Sequence, residues 1–152
     1  VKEIQLTQGK VAIVDDEDFE YLNRWTWHYC TGYAKRIIDI NGKRKRIRMH
    51  RAVLDTPDGI ETDHINRNKL DNRKENLRYC TRAENMRNVC TRGNNLSGYK
   101  GVGWNLGKWR SRITIDGKRI CLGRFVNVKD AAQAYNKSAK EHYGEFAYLN
   151  KL

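Results

Sequence analysis

The 152-residue chain predicts an α+β protein: a β-rich N-terminal region, a strand–loop–strand–helix unit, then a three-stranded antiparallel sheet with one helix. Three observations predict it. Asn41-Gly42 and Asp116-Gly117 each sit between β-rich runs, and both pairs have the positive-φ tolerance that tight hairpins need. Thr81-Arg82-Ala83-Glu84 is a capping box that opens a helix straight after a strand-like run. Ala131, Ala134, Tyr135, Ser138, Ala139, His142 and Tyr143 recur at helical spacing, a small-residue face suited to lying close on a sheet.

Taken in order, residues 3–6 and 10–14 read as strands joined by a turn at Gln8-Gly9. Residues 15–22 read as a short helix, since Asp16 and Asp18 can cap and acids favour a helix N-terminus. Trp25, Trp27 and Tyr29 alternate, so they stripe one face of a strand, a pattern that reads as core before it reads as a base-stacking platform. Residues 32–40 and 45–54 form a hairpin around Asn41-Gly42. Lys43, Arg44, Lys45, Arg46 and Arg48 lie along its far side, either as a solvated face or as a phosphate-facing ribbon with Arg44 and Arg46 in contact. Pro57, the single proline, makes a turn with Asp58-Gly59.

The chemistry concentrates in residues 61–88. Residues 61–65 read as a strand, 66–75 as a polar loop and 76–80 as a second strand, before the helix at Thr81. Asp63 offers a carboxylate and Asn85, one turn into the helix, an amide carbonyl; a hard divalent cation takes such oxygens and keeps water in its open positions. His64 follows Asp63, so on a regular strand it points to the opposite face. A neutral imidazole there can take a proton from water, because its unperturbed pKa is near ~6.5. Asn76 can orient that ring through its side-chain carbonyl. Asn72 competes with Asn76 for this role and Asn88 with Asn85 for the helix position; Asn76 and Asn85 rank first.

Asp63-His64, Asn76 and Asn85 in that strand–loop–strand–helix order resemble the HNH (ββα-metal) nuclease motif, in the Asp-His…Asn…Asn form of phage and intron homing endonucleases. The resemblance implies Asp63 and Asn85 as ligands of one Mg²⁺ (or Mn²⁺) per active site, His64 as general base, and Asn76 as the residue that holds it. His50, in the preceding Met49-His50-Arg51, then reads either as a catalytic group near the scissile phosphate or as a satisfied structural histidine. His28 and His142 read as structural.

Residues 89–96, with Asn, Gly and Arg92, read as a basic linker that follows a nucleic-acid backbone, Arg87 standing just before it. They separate an N-terminal and nuclease domain at 1–88 from a second domain at 97–152. There, residues 99–104, 108–115 and 118–125 read as three strands, with Asn127 capping the helix and Gly144 ending it. Tyr99-Lys100-Gly101-Val102, Lys108-Trp109, Leu122-Gly123-Arg124-Phe125, residues 131–135 (AAQAY) and Ala147-Tyr148-Leu149-Asn150 resemble the plant Apetala/ethylene-response-factor type of DNA-binding domain. That resemblance implies a three-stranded sheet laid in the major groove, with Trp104, Lys108, Arg110, Arg112 and Arg119 facing DNA and Trp109 and Phe125 packing. Gly103-Trp104 departs from the plant pattern, so sequence preference does not carry over.

Composition bounds the partner. The formal net charge is +12, and between Arg87 and Arg124 nine Lys or Arg stand against one acid, Asp116. Such a surface expects a polyanion, nucleic acid first and an anionic membrane second; with the two resemblances the expected partner is double-stranded DNA, with no membrane and no small-molecule substrate. No apolar run is long enough to cross a bilayer and no signal-peptide pattern opens the chain, so the expected location is the cytoplasm of a bacterial or phage-infected cell. The four cysteines match no common zinc spacing and read as reduced packing residues. The sequence therefore predicts a site-specific, homing-type DNA endonuclease, monomer or homodimer, that nicks one strand per active site. The alternatives are a non-catalytic DNA-binding regulator and, from charge alone, an RNA binder.

Overall fold

Short strands joined by left-handed turns shape this chain. The structure, a computed structural model, describes residues 1–91 and 93–152, in two units, Val1–Asn85 and Met86–Leu152.

In the first unit, β1 (Lys2–Gln5) pairs antiparallel with β2 (Val11–Val14) through a turn in which Gln8 and Gly9 both have φ 64. Helix α1 (Asp16–Leu22) follows, with Asp16, Glu17 and Asp18 in its first turn, where the helix dipole favours anions. Strands β3 (His28–Cys30), β4 (Tyr33–Ile40) and β5 (Lys43–Arg48) form a second antiparallel sheet. Its hairpin turns at Asn41 (φ 52) and Gly42 (φ 74), and Asp39 Oδ1 accepts from the Gly42 amide at 2.9 Å.

Two expectations are corrected here. Residues 49–54 do not continue the strand: Met49–Val53 is helix α2. Met49 and His50 are neighbours and both are buried, which a helix permits and the alternation of a strand does not. The aromatic stripe is also interrupted. Only Tyr29 of the three lies in β3; Trp27 precedes it, buried, and donates its Nε1–H to the Leu22 carbonyl at 2.9 Å. Trp25 packs under the Arg36 guanidinium, 3.6 Å from its ring centre. The core of this unit joins Ile4, Val14, Leu22, Trp27, Ala34 and Met49.

Strands β6 (Glu61–His64) and β7 (Leu77–Cys80) pair antiparallel, with Asp63 opposite Arg78 and His64 opposite Leu77. Helix α3 (Arg82–Asn88) opens on the capping box: the Glu84 amide donates to Thr81 Oγ1 (3.3 Å), and the Thr81 amide donates to Glu84 Oε2 (2.8 Å).

In the second unit, β8 (Val102–Asn105), β9 (Lys108–Ile115) and β10 (Lys118–Phe125) form an antiparallel sheet with β9 in the centre. Helix α4 (Val128–Tyr143) is capped by Asn127, whose side chain accepts from the Lys129 amide at 2.8 Å. Its Ala131, Ala132, Tyr135, Ala139 and Tyr143 are buried with Val102 and Ile113 of the sheet.

Gly101, at φ +77, makes this packing possible. A Cβ there would enter the Tyr135 ring and lie 2.6 Å from the Arg112 carbonyl oxygen. Gly101→Ala combines an unfavourable φ with overpacking and is expected to cost about 2–4 kcal/mol of unfolding free energy. Urea denaturation checks this; an unchanged midpoint would refute the packing described.

Candidate active site

The loop between β6 and β7 is polar in sequence yet internally bonded. Asn66 and Asn68 make Asx turns, accepting from the Asn68 amide (2.8 Å) and the Leu70 amide (3.2 Å). Asp71 is buried and accepts from Arg73 Nε and Nη2, both at 2.8 Å, and from Asn66 Nδ2 at 2.9 Å. The Arg73 guanidinium holds the Asp71 carboxyl below its usual range. Asn76 lies at the loop's end. Its Oδ1 accepts from the Asn66 amide at 2.9 Å and its Nδ2 donates to the Asp71 carbonyl at 2.7 Å.

Strand β2 braces the same loop. Ile13 donates to the Leu70 carbonyl and accepts from the Asn72 amide, both at 2.8 Å. The acids at the start of α1 and just before it add a second tie: Asp15 Oδ2 accepts from the Lys74 amide at 2.7 Å, and Lys74 Nζ lies 2.5 Å from Glu17 and 3.3 Å from Asp18.

This bracing puts Asn72, rather than Asn76, against the imidazole. Asn72 Nδ2 donates to the Leu70 carbonyl at 3.2 Å, which turns Oδ1 toward His64 Nε2, 3.3 Å away. An amide oxygen accepts only, so Nε2 carries the hydrogen and Nδ1 is the basic nitrogen. His64 is buried, and burial holds its pKa below the usual imidazole value against the opposing Asn72 bond and the Asp63 charge. It packs edge-on against His50 (ring centres 4.8 Å apart) and near Tyr33 (6.1 Å). His50 lies 5.4 Å from Tyr33, 2% exposed; burial, then the charges of His64, Arg48 and Arg51, push its pKa down to about 3.

Asp63 faces elsewhere. Its Oδ2 accepts from Arg78 Nη2 (2.8 Å) and Nε (3.1 Å), the residue directly across the hairpin. Glu61, two residues earlier on the same strand face, accepts from Asn85 Nδ2 at 2.6 Å. Only the NH₂ end of an amide can donate to a carboxylate, so Asn85 turns its carbonyl oxygen away from Glu61. Sequence reasoning missed Glu61 and Arg78. Strand alternation from Asp63 would have found Glu61; Arg78 needed the hairpin register.

The expected nucleic-acid contacts divide. Arg44 and Arg46 are exposed on β5. Lys108, Arg110, Arg112 and Arg119 share one sheet face of the second unit, since Arg112 lies across from Cys121 and Thr114 from Arg119. Arg124, opposite Arg110, joins that face and had no signal in the linear pattern. Trp104 does not share it: it pairs with Trp109, whose face packs on α4, and the two rings meet edge-on at 4.9 Å. Arg87 stacks over the Tyr143 ring at 4.8 Å. Arg92 lies outside the described residues.

An HNH endonuclease family model matches residues 55–87, the stretch that holds all of this hairpin. An uncharacterized HNH endonuclease of Acanthamoeba polyphaga mimivirus is 27% identical over 152 residues, covering 95% of this chain and 77% of that protein. Protein 3.8 of Escherichia phage T7 is 33% identical over 93 residues, covering 60% of this chain and 76% of that protein. Residues 55–87 thus carry an HNH endonuclease domain, and the chain belongs to the same family as Protein 3.8 of phage T7. The HNH endonuclease match and the mimivirus relative's name point to a nuclease and suggest DNA as its substrate. No helix among the described residues is long and apolar enough to cross a membrane.

HNH nucleases generally use a divalent metal, and the residue types suit one, although in this structure Asp63 is paired with Arg78 and the Asn85 carbonyl oxygen is turned from Glu61. Asp63, Glu61 and the Asn85 carbonyl are oxygen donors carried by one hairpin and the helix after it, the chemistry a hard cation selects.

Buried neutral histidine makes stability acid-sensitive. The lowered folded pKa of His50 means that its contribution is complete above about pH 6.5 and is lost as pH falls toward about 3, because the unfolded chain takes up the proton first. Urea unfolding between pH 7 and pH 4 should show a loss of up to about 1.4 kcal/mol per pH unit from this residue, flattened in His50→Gln. Equal slopes in the two proteins would contradict the assignment.

Proposed function

We propose that this protein is a metal-dependent, site-specific DNA endonuclease of the homing type that nicks one strand per active site. The observation that carries the reading is a buried imidazole, oriented by Asn72, on the same four-residue strand as the carboxylates of Asp63 and Glu61. His64 Nδ1 accepts the proton of the attacking water, and general-base help of this kind contributes about 10²–10⁴ in rate. Asn72 fixes the tautomer. Asn76 acts through the loop that carries Asn72. His50 supports the His64 ring by packing and, being held neutral, does not repel a second proton there.

Asp63 and Asn85, with Glu61 beside them, would hold one Mg²⁺ or Mn²⁺. Such an ion supplies Lewis-acid stabilisation of phosphorane charge and of the leaving 3′-oxygen. The β8–β10 sheet presents Lys108, Arg110, Arg112, Arg119 and Arg124 together on one face, which suits the backbone of a duplex and agrees with an Apetala-like mode of docking. Burial and the neighbouring Arg110 and Arg119 depress the Arg112 pKa, the mark of like charges gathered on one surface.

A supercoiled plasmid library of candidate sites, with Mg²⁺ or Mn²⁺ against EDTA, tests this. Wild type should convert it to open circle only with metal. His64→Ala should lose cleavage by about 10² or more while still binding duplex, and Asn72→Ala should lose roughly 10-fold in kcat. Cleavage by His64→Ala at the wild-type rate would overturn its role. Binding without conversion, across metals and sites, would make the protein a DNA-binding regulator.

A further inference from the structure

A row of cations on one face of the β4–β5 ribbon ends beside the histidines. Lys35 lies directly across from Arg48, so both project on the face that also holds Tyr33, two residues before Lys35. Arg46 and Arg44 continue that face along β5. At its inner end three cations surround the Tyr33 ring: Lys69 Nζ 4.5 Å from the ring centre, the Arg48 guanidinium at 5.0 Å and Lys35 Nζ at 5.7 Å. Tyr33 itself packs on His50 and His64.

The cluster is built into the fold. The Lys69 stem crosses Gly32, where a Cβ would stand 3.2 Å from its Cδ, so the glycine lets the lysine of the β6–β7 loop lie over the β3–β4 turn. Lys35 Nζ is steadied by the Thr31 hydroxyl at 2.8 Å. Among the described residues, none of Lys35, Arg48 and Lys69 forms an ion pair with a carboxylate. Elsewhere in the unit Arg73, Lys74 and Arg78 each do. Three like charges gathered at one ring, with no carboxylate paired to them among the described residues, make a local positive field that an anion can enter.

We propose that Lys35, Arg48 and Lys69 around Tyr33 form a phosphate subsite that seats a backbone phosphate of the nucleic-acid substrate beside His64, with Arg46 and Arg44 continuing the track along the strand. This rests on the nuclease reading of His64 and adds the residues that bring the polymer to it. The three cations are positioning residues: they hold the chain against the base and exchange no proton. Tyr33 supplies the platform, since its ring lies near all three cations and near both histidines.

The test uses the full chain and the Arg48→Gln/Lys69→Gln double variant. Binding of a labelled duplex oligonucleotide is followed by fluorescence anisotropy in EDTA across roughly 50–200 mM NaCl. The double variant should bind more weakly, and its slope of log affinity against log salt should be shallower by about one. Arg48→Lys/Lys69→Arg, which keeps both charges, should restore the slope and exclude a folding defect. A mononucleotide at equal phosphate concentration should not displace the duplex; efficient displacement would show a free-phosphate site and overturn the proposal. With cleavage active, Arg48→Gln/Lys69→Gln should lower kcat by roughly 10- to 100-fold, beyond any change in KM, because a misplaced phosphate reacts slowly even when bound. A wild-type salt slope in the double variant overturns the subsite whether or not the protein cleaves. A wild type that binds but never cleaves, with the slope still falling in the double variant, overturns the nuclease reading and leaves the phosphate subsite standing.

Discussion

The pair of backbone hydrogen bonds between Ile13 and the β6–β7 loop, 2.8 Å each, is the constraint on which the site depends. Backbone pairing is insensitive to side chain, so it fixes where the loop runs without specifying what the loop carries. Once Leu70 and Asn72 are held by β2, the Asn72 amide has one carbonyl to donate to and one imidazole to accept from. The tautomer of His64 follows from that geometry. The N-terminal hairpin, which carries none of the proposed chemistry, therefore sets the protonation pattern of the residue that does.

The distribution of charge follows the same division of labour. The acids of the N-terminal segment serve the loop: Asp15 and Glu17 hold Lys74, just after the stretch that positions Asn72. Asp71 and Asp63 are buried and each is matched by an arginine. A buried carboxylate without such a partner would carry a heavy desolvation cost. The cations around Tyr33 have no such match among the described residues, although they stand close to histidines that burial keeps neutral. Paired charge thus marks what holds the hairpin, and the cations around Tyr33 are the ones proposed above to receive a phosphate.

Strand alternation separates two functions over four residues. Glu61 and Asp63 face Asn85 and Arg78, while His64 faces Asn72, His50 and Tyr33. A strand one residue out of register would exchange these faces, so the Asp63–Arg78 and His64–Leu77 pairings carry as much of the site as the residues themselves.

Local signals were enough for much of this. The capping box at Thr81, the Asn41-Gly42 and Asp116-Gly117 turns, and the 108–115 and 118–125 strands are read from adjacent residues, because caps, positive-φ turns and period-two alternation act over a few positions. The Asp63-His64 pair and the helix at Asn85 were legible for the same reason. What only the tertiary structure decided was partnership at a distance. Asn72 and Asn76 are equivalent amides in the linear chain, and the brace from Ile13, about sixty residues away, sets one against the imidazole and the other inside the loop. Helix α2 replaced an extension of β5 because burying Met49 and His50 together required it, and Trp104 was assigned its sheet face by its pairing with Trp109. Side-chain chemistry is written residue by residue; which residue meets which is settled by backbone register and by the core that the distant segments share.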